Sequence, residues 1–160
     1  MAQVIQNEQS NVVKPWWAQG TIVYIGLSLG LLWWILTAVL RQFIVEPFAC
    51  RDLSTAAACV NAVDVSGSIA AVLVAAAGTF FLVRFVQPRP IIISVATAAI
   101  LWGLGGILNG IPWFFTILWA LFFYAAAYTL FSLVARISWL WVSLVVALVI
   151  TVGIRLLLAL

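Results

Sequence analysis

The sequence predicts an all-α integral membrane protein, a compact bundle of about five transmembrane helices with one extracytoplasmic loop. Of its 160 residues, 67% are hydrophobic and only 7% are charged, whereas soluble globular chains are about 45–50% apolar and about 25% charged. Long uncharged stretches alternate with short polar breaks, and all five prolines fall at those breaks. A single unit of this size cannot hide so large an apolar surplus in its interior, so lipid must surround most of the chain.

The first predicted span covers residues 20–40. About 20 apolar residues in a helix cross a hydrocarbon core about 30 Å thick, and this stretch carries no charge before Arg41. Trp16 and Trp17 precede it and are typical of the interfacial zone, where indole rings favour the headgroups. The apolar stretch exceeds a signal-peptide core, and no small-x-small cleavage site follows closely. We therefore expect an uncleaved anchor.

Residues 41–66 form the one sizeable predicted loop, because Glu46, Pro47 and Asp64 interrupt any apolar run. Cys50 and Cys59 lie in this loop, in a compartment that permits disulfides. We predict a structural bridge, which would stabilise the protein by roughly 2–3 kcal/mol in the chain-entropy model. The alternatives are a thiol–disulfide redox pair, for which Cys-x-x-Cys is the usual spacing, and two free thiols.

Four further spans are predicted over residues 67–85, 91–108, 113–135 and 137–160. The first break between these spans is Gln87-Pro88-Arg89-Pro90, and its two prolines prevent one continuous helix. Asn109-Gly110-Ile111-Pro112 has the residue types of a tight turn. Arg136 marks the short break before the last span.

Small residues recur at helical spacing in the predicted spans. They lie four residues apart in the first span, as Gly26 and Gly30, and in the second, as Gly67, Ala71 and Ala75. This spacing lets helix backbones approach closely, either within one bundle or between two copies. The run Gly103-Leu104-Gly105-Gly106 lacks the Lys-Ser/Thr of a phosphate-binding loop, so we interpret it as a closely packed or kinked helix segment.

The basic residues predict the orientation in the cell membrane. With a cytoplasmic N-terminus, the inner side holds Lys14, Arg84, Arg89 and Arg136, and the outer side holds Arg41, Arg51 and Arg155. An excess of Lys and Arg marks the cytoplasmic side, so we expect the N-terminus inside and loop 41–66 outside. Because an arginine stem reaches the headgroups from a span end, Arg84, Arg136 and Arg155 are predicted interface anchors together with Trp16 and Trp17.

The residue types favour a protein without catalytic residues, metal or cofactor. The chain has no histidine, which excludes His-dependent triads, His zinc sites and ordinary haem ligation. Ser-x-x-Lys does not occur, and the Gly-x-Ser-x-Gly spacing at Gly26-Leu27-Ser28-Leu29-Gly30 lies inside an apolar span of a chain that has no histidine to complete a triad. Glu46, Asp52 and Asp64 are more typical of a solvated surface than of a cation site. Seven scattered basic residues form no patch for nucleic acid.

These features favour a non-enzymatic subunit or scaffold in the lipid bilayer. It would act through helix–helix contacts in a homo-oligomer or with other membrane subunits. A small oligomeric channel or carrier is one alternative, with a path between protomers lined by Thr116, Tyr124, Tyr128, Thr129, Ser132 and Ser143. A membrane thiol–disulfide oxidoreductase that uses Cys50 and Cys59 is another.

The nine tryptophans also allow a cavity for a hydrophobic ligand. Trp33, Trp34, Trp102 and Trp119 lie deep in their predicted spans. Their indole N–H groups need hydrogen-bond acceptors, and Thr37, Thr116 or Tyr124 are the expected partners. Ordinary packing and lipid contact are the simpler interpretation.

The orientation is testable by cysteine labelling from each side of the membrane. In a variant that lacks Cys50 and Cys59, single cysteines at Arg89 and Arg136 should react only from the cytoplasmic side. Cysteines at Asp52 and Asn109 should react only from outside, because the basic residues are retained inside. Labelling of Arg89→Cys from outside would contradict the predicted orientation.

Overall fold

The computed structural model describes residues 15–50, 59, 61–85, 89–136 and 139–159, and these residues form helices without strands. In chain order they are α1 (Pro15–Leu40), a π-helical turn (Arg41–Val45), α2 (Glu46–Ala49), α3 (Ala62–Arg84), α4 (Pro90–Leu101), α5 (Leu104–Ile107), α6 (Trp113–Ala135) and α7 (Leu140–Ala159). Four to five helices have the length and composition of a membrane span. The predicted all-α class is therefore confirmed.

Prolines set two of the helix boundaries. Pro90 is the first residue of α4, where a missing N–H costs no hydrogen bond. Pro112 precedes α6 in an extended conformation, so the helix begins at Trp113. Its range is the one predicted for the fourth span.

The first helix does not end at Arg41 as predicted, and the loop is shorter than residues 41–66. The helix continues through the π-helical turn and α2 to Ala49, and α3 begins at Ala62. Pro47 explains the π-helical turn, because its ring lacks an N–H and crowds the carbonyl four residues earlier. In the wider turn the backbone hydrogen bonds span five residues instead of four. The N–H of Glu46 accordingly donates to the carbonyl oxygen of Arg41, five residues earlier.

The predicted third span is discontinuous. α4 ends at Leu101, and Gly103 adopts a φ of 81°, which glycine tolerates without strain. Gly105 then lies against α3, where a Cβ on Gly105 would stand 2.6 Å from the carbonyl oxygen of Val63. Gly103–Gly106 is thus both kinked and closely packed.

The most extensive helix contact joins α1 to α6, which run antiparallel. A Cβ on Gly26 would stand 2.7 Å from the Cα of Ala125, and one on Gly30 would stand 2.9 Å from the carbonyl oxygen of Ala120. Both neighbouring atoms belong to the backbone, so only glycine permits this distance. The Gly26–Gly30 face is covered by α6 and is not open to a second copy of the chain.

The small residues of α3 face the core. Gly67 and Ala71 are buried and Ala75 is half-buried. Trp33 packs on Gly67 and donates its indole N–H to the Gly67 carbonyl oxygen at 2.9 Å. The acceptor predicted for Trp33 among Thr37, Thr116 and Tyr124 is therefore wrong, because a glycine without a side chain exposes its helix carbonyl to the indole.

Four hydroxyl groups are buried where α4 meets α6. Ser94, Thr97, Tyr124 and Tyr128 are each at most 1% exposed, and the hydroxyls of Ser94 and Tyr128 interact with each other without ideal hydrogen-bond geometry. The rings of Tyr124 and Tyr128 stack with centroids 6.5 Å apart. The Tyr128 hydroxyl fills the space beside Gly78, where a Cβ would overlap it.

The polar residues expected to line a path between protomers lie mostly inside one chain. Tyr124, Tyr128, Ser132 and Ser143 are buried in the bundle, and the Ser143 hydroxyl donates to the carbonyl oxygen of Val134 at 3.1 Å. Only Thr116 and Thr129 of this set are half-buried. The lining predicted for a path between copies is therefore wrong for the four buried residues.

The α1–α6 contact predicts the effect of adding one methyl group. Gly26→Ala and Gly30→Ala should each lower the free energy of unfolding in detergent by about 1–3 kcal/mol, because the new Cβ meets rigid backbone. Gly20→Ala and Gly153→Ala are matched controls, since nothing lies within 4 Å of their added Cβ atoms. Both controls should leave stability unchanged or raise it, because alanine is the better helix former. Equal effects at all four sites would disprove the close contact.

Gly78 and Tyr128 should show energetic coupling. Gly78→Ala is expected to destabilise the protein by about 1–3 kcal/mol through overpacking, whereas Tyr128→Phe removes a hydroxyl that interacts with Ser94 without ideal hydrogen-bond geometry and should cost about 1 kcal/mol or less. In the double variant, Tyr128→Phe should recover part of the loss. The recovery is partial because the Cζ atom still lies 3.0 Å from the new Cβ. A double-mutant cycle of unfolding free energies measures the coupling, and strict additivity would contradict it.

Candidate functional site

The candidate site lies at one end of the bundle, here named the disulfide end. This end comprises Cys50, Cys59, the start of α3, α5 and the turn at residues 108–112. A cleft of about 210 Å³ opens there between α1, α5 and the start of α6. We call it the tryptophan cleft, and it is lined by Trp33, Trp34, Thr37, Ala38, Arg41, Val63, Gly105, Leu108, Asn109, Gly110, Ile111, Trp113 and Thr116.

Local backbone geometry brings these residues together. The break at Gly103 and the positive φ of 85° at Gly110 let the chain turn back over the end of α1 before α6 begins. Trp33 is held at the base of the cleft by its hydrogen bond to Gly67. Thr37 lies one turn later and donates to the Trp33 carbonyl oxygen at 2.8 Å. The inner wall is therefore rigid, whereas Trp113 at the outer wall is exposed.

A second cavity of about 340 Å³ adjoins the cleft and is lined by Ala38, Arg41, Gln42 and Glu46. We call it the polar rim. The Arg41 Nε donates to the Glu46 Oε1 at 2.6 Å, and the two side chains are 50% and 40% exposed. At that exposure an ion pair contributes only about 0–1 kcal/mol to stability. Its main effect is to place a cation and an anion side by side, with Arg41 lining both cavities.

The predicted disulfide is present between Cys50 and Cys59, whose Cα atoms lie 5.0 Å apart. It joins the end of α2 to the segment before α3, while residues 51–58, including Asp52, lie outside the described residues. The N–H of Cys50 donates to the carbonyl oxygen of Glu46 at 3.0 Å. The bridge is therefore one helical turn from the polar rim.

Asp64 does not lie in the loop where the sequence analysis placed it. It belongs to the first turn of α3, where the helix dipole favours a negative charge. Its Oδ1 is buried beside Gly106 without a hydrogen-bond partner among the described residues. In the part of the chain that the structure describes, no three Asp, Glu, Cys or His side chains are grouped to hold a metal ion.

The helix α7 is attached to α4 and α6 along one narrow edge. Among its described side chains, only Ser143 and Ala147 are buried. A groove of about 440 Å³ runs between α4 and α7, and we call it the α4–α7 groove. Its lining includes the small residues Ala96, Ala99, Ala147 and Thr151 and the larger Ile91, Ile92, Val95, Leu144, Leu148 and Val152.

The predicted interface anchors occupy helix ends. Arg84 lies in the last turn of α3 and Arg136 follows α6, and both side chains are exposed. With Arg89 at the start of α4, they lie at the end opposite Arg41. Trp16, Trp17 and Arg155 lie on α1 and α7, but their side chains fall outside the described residues. The side of the membrane that each end faces stays a prediction.

Sequence reasoning missed the tryptophan cleft as a unit. The sequence pattern predicts Trp33 and Trp34 deep in the first span and Trp113 near an interface. For Asn109 it predicts only a place in a tight turn. The glycines at positions 103 and 110 were the available signal, because both permit the backbone reversals that bring the turn onto α1.

The cleft, the polar rim and the α4–α7 groove thus belong to an apolar helical bundle that fits a multi-pass membrane protein. Comparison of the chain with protein-family models, curated proteins and solved structures finds no match.

Proposed function

We propose that this protein is a non-enzymatic subunit of a membrane assembly, and that the α4–α7 groove receives a transmembrane helix of a partner subunit. The observation that carries the proposal is the attachment of α7 along one edge. Between membrane helices there is no hydrophobic driving force, and close approach at small residues supplies the contact. The groove offers such residues in Ala96, Ala99 and Ala147.

The sequence also favours the Gly26–Gly30 surface for assembly, but α6 already covers it. Gly26 and Gly30 contact the backbone of α6, so they are not available to a partner. Ala99 is exposed in the groove, so a helix can approach the backbone of α4 there. This contrast supports the groove as the surface for assembly.

The alternative functions have less structural support. The polar side chains expected for a channel are mostly buried within one chain. Cys50 follows the C-terminal end of α2, whereas reactive cysteines of redox motifs usually sit at a helix N-terminus. A subunit role makes use of the apolar α4–α7 groove, which a redox reaction at Cys50 and Cys59 does not require.

Photo-crosslinking in native membranes tests this role. A photoreactive side chain at Leu148 or Val152, both exposed on α7, should form one discrete protein adduct. The same side chain at Phe80 or Phe122, exposed on α3 and α6, should react only with lipid. An adduct with twice the mass of the chain would identify the partner as a second copy. Lipid adducts alone at all four sites would contradict the proposal.

A groove-filling variant provides the matched test. Ala99→Leu should abolish the adduct, because the larger side chain keeps the partner helix from α4. Ala76→Leu on the exposed surface of α3 is the control and should preserve it. Both variants should keep the unfolding midpoint of the parent protein, since neither side chain is buried.

A further inference from the structure

We propose that the tryptophan cleft and the polar rim together bind the headgroup region of one zwitterionic phospholipid, represented by phosphatidylethanolamine. This site is separate from the α4–α7 groove and does not rest on the proposed subunit role. The ligand class follows from the charges of the rim, from the depth of the cleft in the membrane and from the order of groups in the lipid.

The first step concerns charge. Arg41 and Glu46 stand 2.6 Å apart through Nε and Oε1, a bond that uses one of the five N–H donors of the guanidinium. A guanidinium recognises phosphate through paired N–H donors, and a carboxylate accepts hydrogen bonds from an ammonium group. A purely anionic headgroup would be repelled by the Glu46 carboxylate, and a purely cationic headgroup would be repelled by the Arg41 guanidinium. A zwitterion complements both charges.

The second step concerns depth. The candidate span is Gly20–Phe48, which is 29 residues long, whereas about 20 helical residues cross the hydrocarbon core, so the charged Arg41 and Glu46 belong to the part of the span that extends beyond the core. Arg41 therefore lies at the headgroup level of the disulfide end, and the cleft begins at the boundary beneath it. Trp34 and Trp113 line that cleft, and indole rings favour this interfacial zone. A membrane lipid reaches the two cavities at once, whereas a soluble zwitterion would leave the indole-lined part in contact with water.

The third step concerns the order of groups. In a phospholipid the phosphate is joined to the glycerol, and the ammonium lies farther from the acyl chains. Arg41 lines both the tryptophan cleft and the polar rim, whereas Glu46 lines only the polar rim. The lipid phosphate therefore meets Arg41 with the glycerol directed into the cleft, and the ammonium meets Glu46. Thr37 and Asn109 in the cleft supply polar groups at the level of the glycerol.

The fourth step concerns size and rigidity. Cavities of about 210 Å³ and 340 Å³ hold a headgroup and the glycerol but not the acyl chains, which would extend along the bundle surface. The disulfide at Cys50 restrains the helical turn that carries Glu46. Restraint of the rim before binding lowers the ordering cost of capturing a ligand.

Native mass spectrometry of the full chain in detergent tests the site. The protein is incubated with equal amounts of phosphatidylethanolamine and phosphatidylglycerol of identical acyl chains. One phosphatidylethanolamine should stay bound, with a preference over phosphatidylglycerol of about tenfold or more, since a charged hydrogen bond of about 1.5–3 kcal/mol distinguishes them. Equal retention of both lipids would overturn the proposal.

Variants of the rim separate ligand binding from a structural role of the ion pair. Arg41→Gln should weaken retention of both lipids, and Glu46→Gln should remove the preference for phosphatidylethanolamine. The exchange of Arg41→Glu with Glu46→Arg keeps an ion pair but presents a carboxylate to the phosphate, so it should lose phosphatidylethanolamine. Arg136→Gln, at the opposite end, is the control and should bind like the parent. Retention by the exchanged variant would overturn the proposal.

Free phosphoethanolamine distinguishes the membrane lipid from a soluble ligand. An excess of this headgroup should not displace the bound lipid, because it lacks the glycerol and acyl chains that contact the cleft and the bundle. Displacement would show that the site takes a soluble zwitterion and would overturn the assignment to a lipid. Each variant is compared at an unchanged unfolding midpoint with its disulfide intact, so loss of fold is not mistaken for loss of binding.

Discussion

The backbone contact between α1 and α6 at Gly26 and Gly30 is the constraint on which the other features depend. In lipid, apolar side chains gain little by leaving their surroundings, so close packing and hydrogen bonds must hold the helices together. Trp33 follows Gly30 by three residues and reaches Gly67 on α3, while its ring packs against Tyr124 of α6 at 6.1 Å. One tightly seated helix therefore orients the indole that links three helices and forms the base of the tryptophan cleft.

The polar side chains of the bundle show how costly an unpaired group is in such surroundings. The hydroxyls of Thr37, Thr79, Thr129 and Thr151 donate to the carbonyl four residues earlier on their own helix. Those of Ser28, Ser66 and Ser132 donate three residues back. These local bonds satisfy the hydroxyl without a tertiary partner. The buried hydroxyls of Tyr124 and Tyr128 are too far from their own backbone for this solution, so ring packing positions both, together with a contact between the Tyr128 and Ser94 hydroxyls.

The two proposals use different parts of one bundle. The disulfide end carries the ion pair, the broken helix and the cleft, whereas the α4–α7 groove is apolar and lies along the helices. A lipid held at the first site would occupy the headgroup level, and a partner helix at the second would occupy the hydrocarbon region. Occupation of one does not require the other, so each proposal can fail alone.

The membrane class, the helical content and several helix ends follow from composition and local residue types. Lipid demands apolar side chains, and Pro90 and Pro112 act within a few residues of their own positions. The extension of α1 past Arg41 escaped prediction, because the charges expected to end the helix instead pair across five residues in a π-helical turn. The spacing of Gly26 and Gly30 predicted a close approach but not its partner. In a membrane bundle the faces toward lipid and toward neighbouring helices are both apolar, so hydrophobic periodicity no longer marks the buried side. Helix pairing and the cleft it creates therefore depended on three-dimensional packing between residues far apart in the chain.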